Sequence, residues 1–338
     1  MHTFVTERNI MGTKVRIATI CQGGQFFSSV EENRRHVLKL LDLALHQNPD
    51  MVCLPEAFAT VSVPARDLTR LTETVPGPTT DAVSERAREH NCYIICPVKI
   101  KRNSKLWNSA IIITRSGDIF GIYDKVQPVT SSSDYTVFED GITPGNEFPV
   151  FDLDFGRIGV QICFDIGFPE GWQRLSEKGA KMVFWPSAYD GGFPLQVYAY
   201  LHHYYVVSSV QSDKSRIIDP LGVILAETDH HMNVIHRDIN LDFVVSHYDF
   251  NYSVPDEIMK AYPGRVNITS HIDDAHFLVE PIDDSLTTTQ LQREFRFESA
   301  LKYCQRHQEA YPLIRRGKRP VPQKALHGDR PQYSKTGE

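Results

Sequence analysis

Three side chains of complementary chemistry occupy the same kind of position in this sequence. Glu56 follows the apolar run Met51-Val52-Cys53-Leu54, Lys125 follows Ile119 to Tyr123, and Cys163 follows Arg157 to Ile162. Each run reads as a strand. The carboxylate, the amine and the thiol therefore all stand at or just past a strand's C-terminal end, the edge where ligand sites collect in open α/β sheets. Together they suit attack on a carbonyl or nitrile carbon. The thiol is the nucleophile, and the carboxylate takes its proton and later hands it to the leaving nitrogen. The ammonium and the N–H of Phe164 receive the oxyanion. An unassisted cysteine, with a pKa near ~8.5, is only a few per cent thiolate at neutral pH, so a base is required. Taken singly, each residue also has a plainer reading: a small buried thiol, a helix-start carboxylate, a solvated ammonium.

The stretch Gly156 to Glu170, G-R-I-G-V-Q-I-C-F-D-I-G-F-P-E, organises the rest. Ile158, Val160 and Ile162 mark a buried strand, and Pro169-Glu170 opens a helix. A cysteine in the tight turn between them stands clear of the sheet, with backbone N–H groups aimed at the same space.

The flanking elements follow from pattern. Val15 to Ile20 reads as the first strand, and the overlapping S-x-x-E pairs of Ser28-Ser29-Val30-Glu31-Glu32 cap a helix carrying Val37, Leu38, Leu41 and Leu45. Asp81 to His90 reads as a second helix, with strands over Cys92 to Val98, Ser109 to Thr114 and Ile119 to Tyr123. A polar loop from Val129 to Gly145 contains Glu139. After the cysteine come a strand at Met182 to Trp185, a helix over Leu195 to His203, and strands at Tyr205 to Val210, Arg216 to Asp219, Val223 to Glu227 and Val234 to Asn240. Strand, helix, strand in this order predicts an α/β sandwich.

The 338 residues suffice for one large α/β domain with extensions or for two domains. The net charge of −6 argues against nucleic acid as the main partner. No apolar run approaches the roughly 20 residues that cross a bilayer, and the opening residues lack a secretory h-region. Cys21, Cys53, Cys92, Cys96, Cys163 and Cys304 are scattered without a C-x-x-C pair, so reduced thiols in the cytoplasm are expected. His202-His203 and His230-His231 lack zinc-site spacing, and no metal is assigned. The expected organisation is an extension over 1–12, the main domain over 13–249, and a C-terminal extension over 250–338. That extension is read as an irregular segment, one helix over Arg296 to Ala310, and a basic tail.

L-P-E-A-F at 54–58, Y-D-K-V-Q-P at 123–128 and G-V-Q-I-C-F-D-I-G-F-P-E at 159–170 resemble, in order and spacing, the three signature blocks of the nitrilase superfamily of carbon–nitrogen hydrolases. T-P-G at 143–145, F-W-P-S-A at 184–188 and I-I-D-P-L-G-V-I-L-A-E at 217–227 fit as well, and the resemblance covers about residues 13 to 242. It implies an αββα sandwich able to assemble into four layers, a catalytic set of Glu56, Lys125 and Cys163 with Glu139 as second glutamate, no metal or organic cofactor, and a homodimer or larger homo-oligomer. The partner it implies is a small-molecule amide or N-carbamoyl substrate, with no nucleic acid and no membrane. Phe164, Trp185, Ser187, Ala188 and Tyr189 are the expected substrate-binding residues.

Two departures border the expected site. Gln127-Pro128 stands where a His-Leu-like pair is usual, and His202-His203 stands where Glu-Asn is usual. Asp165 and Phe168-Pro169-Glu170 resemble the amidase and carbamoylase branches more than true nitrilases. The expected activity is a thiol amidohydrolase that releases ammonia; a nitrilase, or a non-catalytic scaffold that keeps the fold, are the alternatives.

Overall fold

In the computed structural model, residues 14–64, 68–271 and 273–333 are described. The chain divides into two units, one of Val15–Ile239 and the other of the described residues from Asn240 onward with Lys14.

The first unit begins with β1 (Lys14–Ile20) and α1 (Val30–Leu45). Ser29 caps the helix, its hydroxyl accepting the Glu32 N–H at 3.2 Å, as the S-x-x-E spacing requires. Then come β2 (Met51–Cys53), α2 (Pro78–His90), β3 (Tyr93–Arg102), β4 (Lys105–Ile113) and β5 (Ile119–Asp124). The helix α2 starts earlier than Asp81 because Pro78 fits its first turn, where no N–H is needed. After a long loop the chain forms β6 (Val150–Leu153), β7 (Gly156–Val160), α3 (Pro169–Glu177), β8 (Met182–Ser187), α4 (Phe193–His202), β9 (Tyr205–Val210), β10 (Arg216–Ile218), β11 (Ile224–Glu227) and β12 (Val234–Asn240).

These strands make two six-stranded sheets, in the orders β12-β1-β2-β3-β4-β5 and β11-β10-β9-β8-β7-β6. In the first, β1, β2 and β3 run parallel, and β3, β4 and β5 alternate in direction; in the second, β7, β8 and β9 are the parallel centre. Period-two alternation gives each central strand two apolar faces. One face of the first sheet, with Ala18, Ile20, Val52, Ile94, Cys96 and Ile111, packs on Val37, Leu41, Val83 and Ala87 of α1 and α2. The second sheet carries α3 and α4 on its outer side. The sheets are also joined by hydrogen bonds: Thr19 donates to the Ser208 carbonyl at 2.6 Å and Ser209 to the Ile20 carbonyl at 2.7 Å. The layers are therefore helix, sheet, sheet, helix.

The second unit is not the irregular segment that its Asp, His and Pro content suggests. It contains β13 (Val244–His247), α5 (Val254–Ala261), β14 (Val266–His271), β15 (His276–Pro281), α6 (Thr288–Phe295) and α7 (Ala300–Arg315). The strands form one antiparallel sheet in the order β13-β15-β14. Phe277 and Val279 of β15 alternate into a core with Val254, Ile258, Leu291 and Phe297, while Val245 and Leu278, paired on the sheet's other face, are buried as well. The helix expected over 296–310 is α7; it starts later, because Arg296 takes a left-handed backbone (φ +52°) that ends α6 and Ser299 caps the next helix, and it runs on to Arg315. The compact first unit ends at Ile239, and β13, which pairs with β15, belongs to the second. The expected extension over 1–12 and the end of the basic tail lie outside the described residues.

Candidate active site

Glu56 follows β2, and its carbonyl accepts the Gln211 side-chain N–H at 2.5 Å, fixing the backbone at the carboxylate. Lys125 follows β5. Its N–H donates to the Asn108 carbonyl at 2.9 Å and its carbonyl accepts from Gly145 at 2.8 Å. Only 1% of its side chain is exposed, so its charge must be met inside the protein. Two carboxylates meet it: Nζ donates to Glu56 Oε1 at 2.9 Å and to Glu139 Oε1 at 2.5 Å. Asn108, buried on β4, donates from the same amide to Glu56 Oε1 at 2.8 Å and to Glu139 Oε2 at 3.0 Å.

The two glutamates are thereby made unequal. Glu139 has both oxygens engaged, since Val129 N–H also approaches its Oε1 at 3.3 Å. Glu56 takes both of its side-chain bonds on Oε1, and Oε2 accepts none among the described residues. Glu56 keeps an oxygen for a proton; Glu139 does not.

Cys163 starts a short 3₁₀ turn, Cys163–Gly167, with φ +47°, a left-handed conformation uncommon for a residue other than glycine. The Trp185 indole N–H donates to its carbonyl at 3.0 Å and holds that turn. The thiol lies beside the Ser187 hydroxyl and the Ala188 N–H. Burial, then the negative charge of Glu56, push it up to about 12, while Lys125, Ser187 and Ala188 pull the other way. Burial alone would lower the Lys125 ammonium, yet Glu56, Cys163 and Glu139 together hold it well above its ordinary value. The resting site is thus a neutral thiol beside an ammonium shared by two carboxylates. A thiolate there would add a second excess negative charge.

Asp165 links the two halves of this arrangement. Fully buried, it accepts the Ile162 N–H at 2.7 Å, the Gln127 N–H at 2.8 Å and the Tyr123 hydroxyl at 2.7 Å. Burial pushes its carboxyl up to about 6 against the pull of these donors.

Of the expected substrate-binding residues, Phe164, Ala188 and Tyr189 are exposed, and Tyr189 lies within electrostatic range of Cys163, Lys125 and Glu56. Ser187 is buried against the thiol. Trp185 has no exposed surface; its indole N–H holds the Cys163 turn, and the Tyr189 ring lies edge-on to it. His202 and His203 do not border the site either; His202 stacks on Tyr198 and His203 reaches the Pro220 carbonyl at 3.2 Å. Sequence reasoning missed Asn108, whose signal was an amide in the middle of the apolar strand L-W-N-S-A-I-I-I. Among the described residues, no cluster of three or more His, Cys, Asp or Glu could hold a metal ion.

Residues 17–247 match the pattern of the family described as Carbon-nitrogen hydrolase. A protein named Nitrilase homolog 2, from Dictyostelium discoideum, is 27% identical over 236 residues, which span 63% of this chain and 71% of that protein. Omega-amidase NIT2 from Xenopus tropicalis is 25% identical over 234 residues, 63% of this chain and 84% of its own. Among solved structures, Saccharomyces cerevisiae Nit3, a member of branch 10 of the nitrilase superfamily, aligns with a TM-score of 0.60 at 20% identity, covering 76% of this chain and 97% of that one. That likeness shows the same αββα sandwich. With the family pattern spanning all three signature blocks, the chain belongs to the carbon–nitrogen hydrolases of the nitrilase superfamily.

Proposed function

We propose that this protein is a thiol amidohydrolase that cleaves a small, non-peptide linear amide or N-carbamoyl compound through an acyl-enzyme on Cys163. One observation carries this reading: the Lys125 ammonium is held by Glu56 and Glu139 through a single oxygen of Glu56, in electrostatic contact with the Cys163 thiol. The omega-amidase among its relatives bears an amide-cleaving name and supports the same reaction class.

The steps follow from the charges. Cys163 rests as a thiol, so its proton leaves as Sγ bonds to the carbonyl carbon, and Glu56 Oε2 receives it. The oxyanion forms beside Lys125, with the Phe164 N–H as second donor; losing one such donor typically costs on the order of 10²- to 10³-fold in rate. Glu56 returns the proton to the amide nitrogen, the C–N bond breaks, and ammonia leaves a thioester on Cys163. Water then attacks the thioester as Glu56 takes its proton. On collapse Glu56 returns its proton to the departing sulfur, so amide plus water becomes acid plus ammonia, and an N-carbamoyl compound gives ammonia and a carbamic acid that loses carbon dioxide to leave the amine. The homo-oligomer belongs to the same proposal, and light scattering on the full chain tests it.

Ammonia release from a panel of aliphatic amides, N-carbamoyl amino acids and nitriles tests the function. Release from amides or carbamoyl compounds is expected, with an acyl adduct seen by intact mass only when Cys163 is present. Release from nitriles alone, or turnover by Cys163→Ala, overturns it.

A further inference from the structure

Two carboxylates share one buried ammonium here, and the geometry decides which of them can act as a base. Asn108 stands at the centre of that decision. Its side chain is 2% exposed, and its single amide nitrogen reaches both glutamates, Glu56 Oε1 at 2.8 Å and Glu139 Oε2 at 3.0 Å. An amide nitrogen carries two hydrogens, one for each carboxylate. The opposite orientation would aim its oxygen at two anions, so the charges themselves select the orientation that donates. Its oxygen has no hydrogen-bond partner among the described residues. The same residue's backbone carbonyl accepts the Lys125 N–H at 2.9 Å, so one residue holds all three charged groups.

We infer that Asn108 is a positioning residue that assigns the roles of the two glutamates, pinning Glu56 through Oε1 so that Oε2 faces the thiol and locking Glu139 so that it cannot compete for the proton. This rests on Glu56 being the base of the proposed reaction. Without the amide, Lys125 alone holds Glu56, the carboxylate can turn about its terminal torsion, and either oxygen can face the ammonium. Only the amides of Asn and Gln supply two neutral donors on one nitrogen, and Gln carries its amide one methylene further out. Asp has the shape but only acceptors when ionised. Ser has one donor, enough for one glutamate.

The test uses the full-length protein with Asn108→Ala, Asn108→Ser and Asn108→Asp. Two readouts are taken: kcat and KM for the best amide or carbamoyl substrate of the panel, and alkylation of Cys163 by iodoacetamide from about pH 6 to 10, followed by intact mass. Circular dichroism reports folding. Asn108→Ala and Asn108→Asp are expected to lower kcat by roughly 10²-fold or more with KM changed by less than about threefold, and Asn108→Ser to fall between them and the unmutated protein. In Asn108→Asp the acid limb of the alkylation profile moves to higher pH, because a third buried carboxylate opposes ionisation of its neighbours. A merely structural role would lower the folded fraction without moving that limb. Folded variants that retain kcat within about twofold and superimpose on the unmutated pH profile overturn the inference. If Asn108→Ala does not fold, Asn108→Ser and Asn108→Asp decide by the same criteria. Failure of the underlying reading looks different: the unmutated protein would release no ammonia, and Glu56→Gln would leave Cys163 alkylation unchanged.

Discussion

The Tyr123 hydroxyl donates to the Asp165 carboxylate at 2.7 Å, joining the strand that leads to Lys125 to the turn that begins at Cys163. Because Asp165 also takes the N–H groups of Gln127 and Ile162, it binds the chain on both sides of the lysine and just before the cysteine. Tyr123→Phe leaves a buried carboxylate oxygen one donor short. It should cost about 1–3 kcal/mol of stability, read as a lower urea midpoint, and should slow turnover more than it weakens substrate binding.

Asp165 also sets a pH dependence. Burial raises its carboxyl in the folded protein to about 6, above its value in the unfolded chain. The folded state then binds the proton more tightly. The stabilisation from that proton is fully present below the unfolded pKa and is lost as pH rises through about 6. Urea midpoints measured from about pH 4 to 7 should show the unmutated protein losing stability relative to Asp165→Asn over that window.

Cys163 should behave as a poorly ionised thiol. With burial and Glu56 pushing it up to about 12, alkylation in the absence of substrate should keep rising with pH and show no plateau near the ordinary thiol value. Removing the Glu56 charge takes away the second of those causes, so Glu56→Gln should bring the thiol's titration down while abolishing most turnover. A plateau near neutral pH in the unmutated protein would mean that a resting thiolate, and not a proton transfer during attack, drives the chemistry.

Lys125 and the two glutamates form a buried set in which removal of the cation strands two anions. Lys125→Met should destabilise the protein by roughly 3–5 kcal/mol in addition to ending catalysis. Glu56→Gln and Glu139→Gln should separate. In the proposed reaction the first removes the proton acceptor and should cost roughly 10²- to 10⁴-fold in kcat; the second should cost less, because there Glu139 serves only to orient the ammonium. Equal losses in the two variants would contradict the unequal hydrogen bonding of Glu56 and Glu139.

In the second unit, His247 is buried on β13 with its ring 3.7 Å from that of Tyr303 on α7. Burial lowers it to about 4, Asp249 opposes this, and His276, His327 and His307 add to it. Its folded pKa lies below the unfolded one. The stability this contributes is present above the unfolded value of about 6.5 and is lost as pH falls through about 4. Protection factors in Val244–His247 and Ala300–Arg315, taken against the intrinsic exchange rate at each pH, should fall on acidification. His247→Phe, which keeps the ring stack, should reduce that fall.

The second unit was also where pattern reading failed. Its strands are short and mix polar with apolar residues, and its core forms only when Phe277 and Val279 meet Val254, Ile258 and Phe297. Composition reads such a segment as loop, because no local window contains enough apolar residues to announce a core. The first unit was legible because its central strands are largely apolar and α1 carries a side-chain cap.

The sequence by itself determined that a carboxylate, an amine and a thiol each sit at the end of an apolar strand, and that the three blocks carrying them belong to one family. Those are properties of short windows, where hydrophobic period and turn residues act locally. Only the tertiary structure decided which oxygen of Glu56 stays available, that Asn108 divides its two hydrogens between the glutamates, and that the Trp185 indole holds the turn at Cys163. Glu56 and Lys125 are separated by 69 positions and Trp185 and Cys163 by 22. Hydrogen-bond direction between such groups is set by the packing of the two sheets, which no stretch of chain encodes alone.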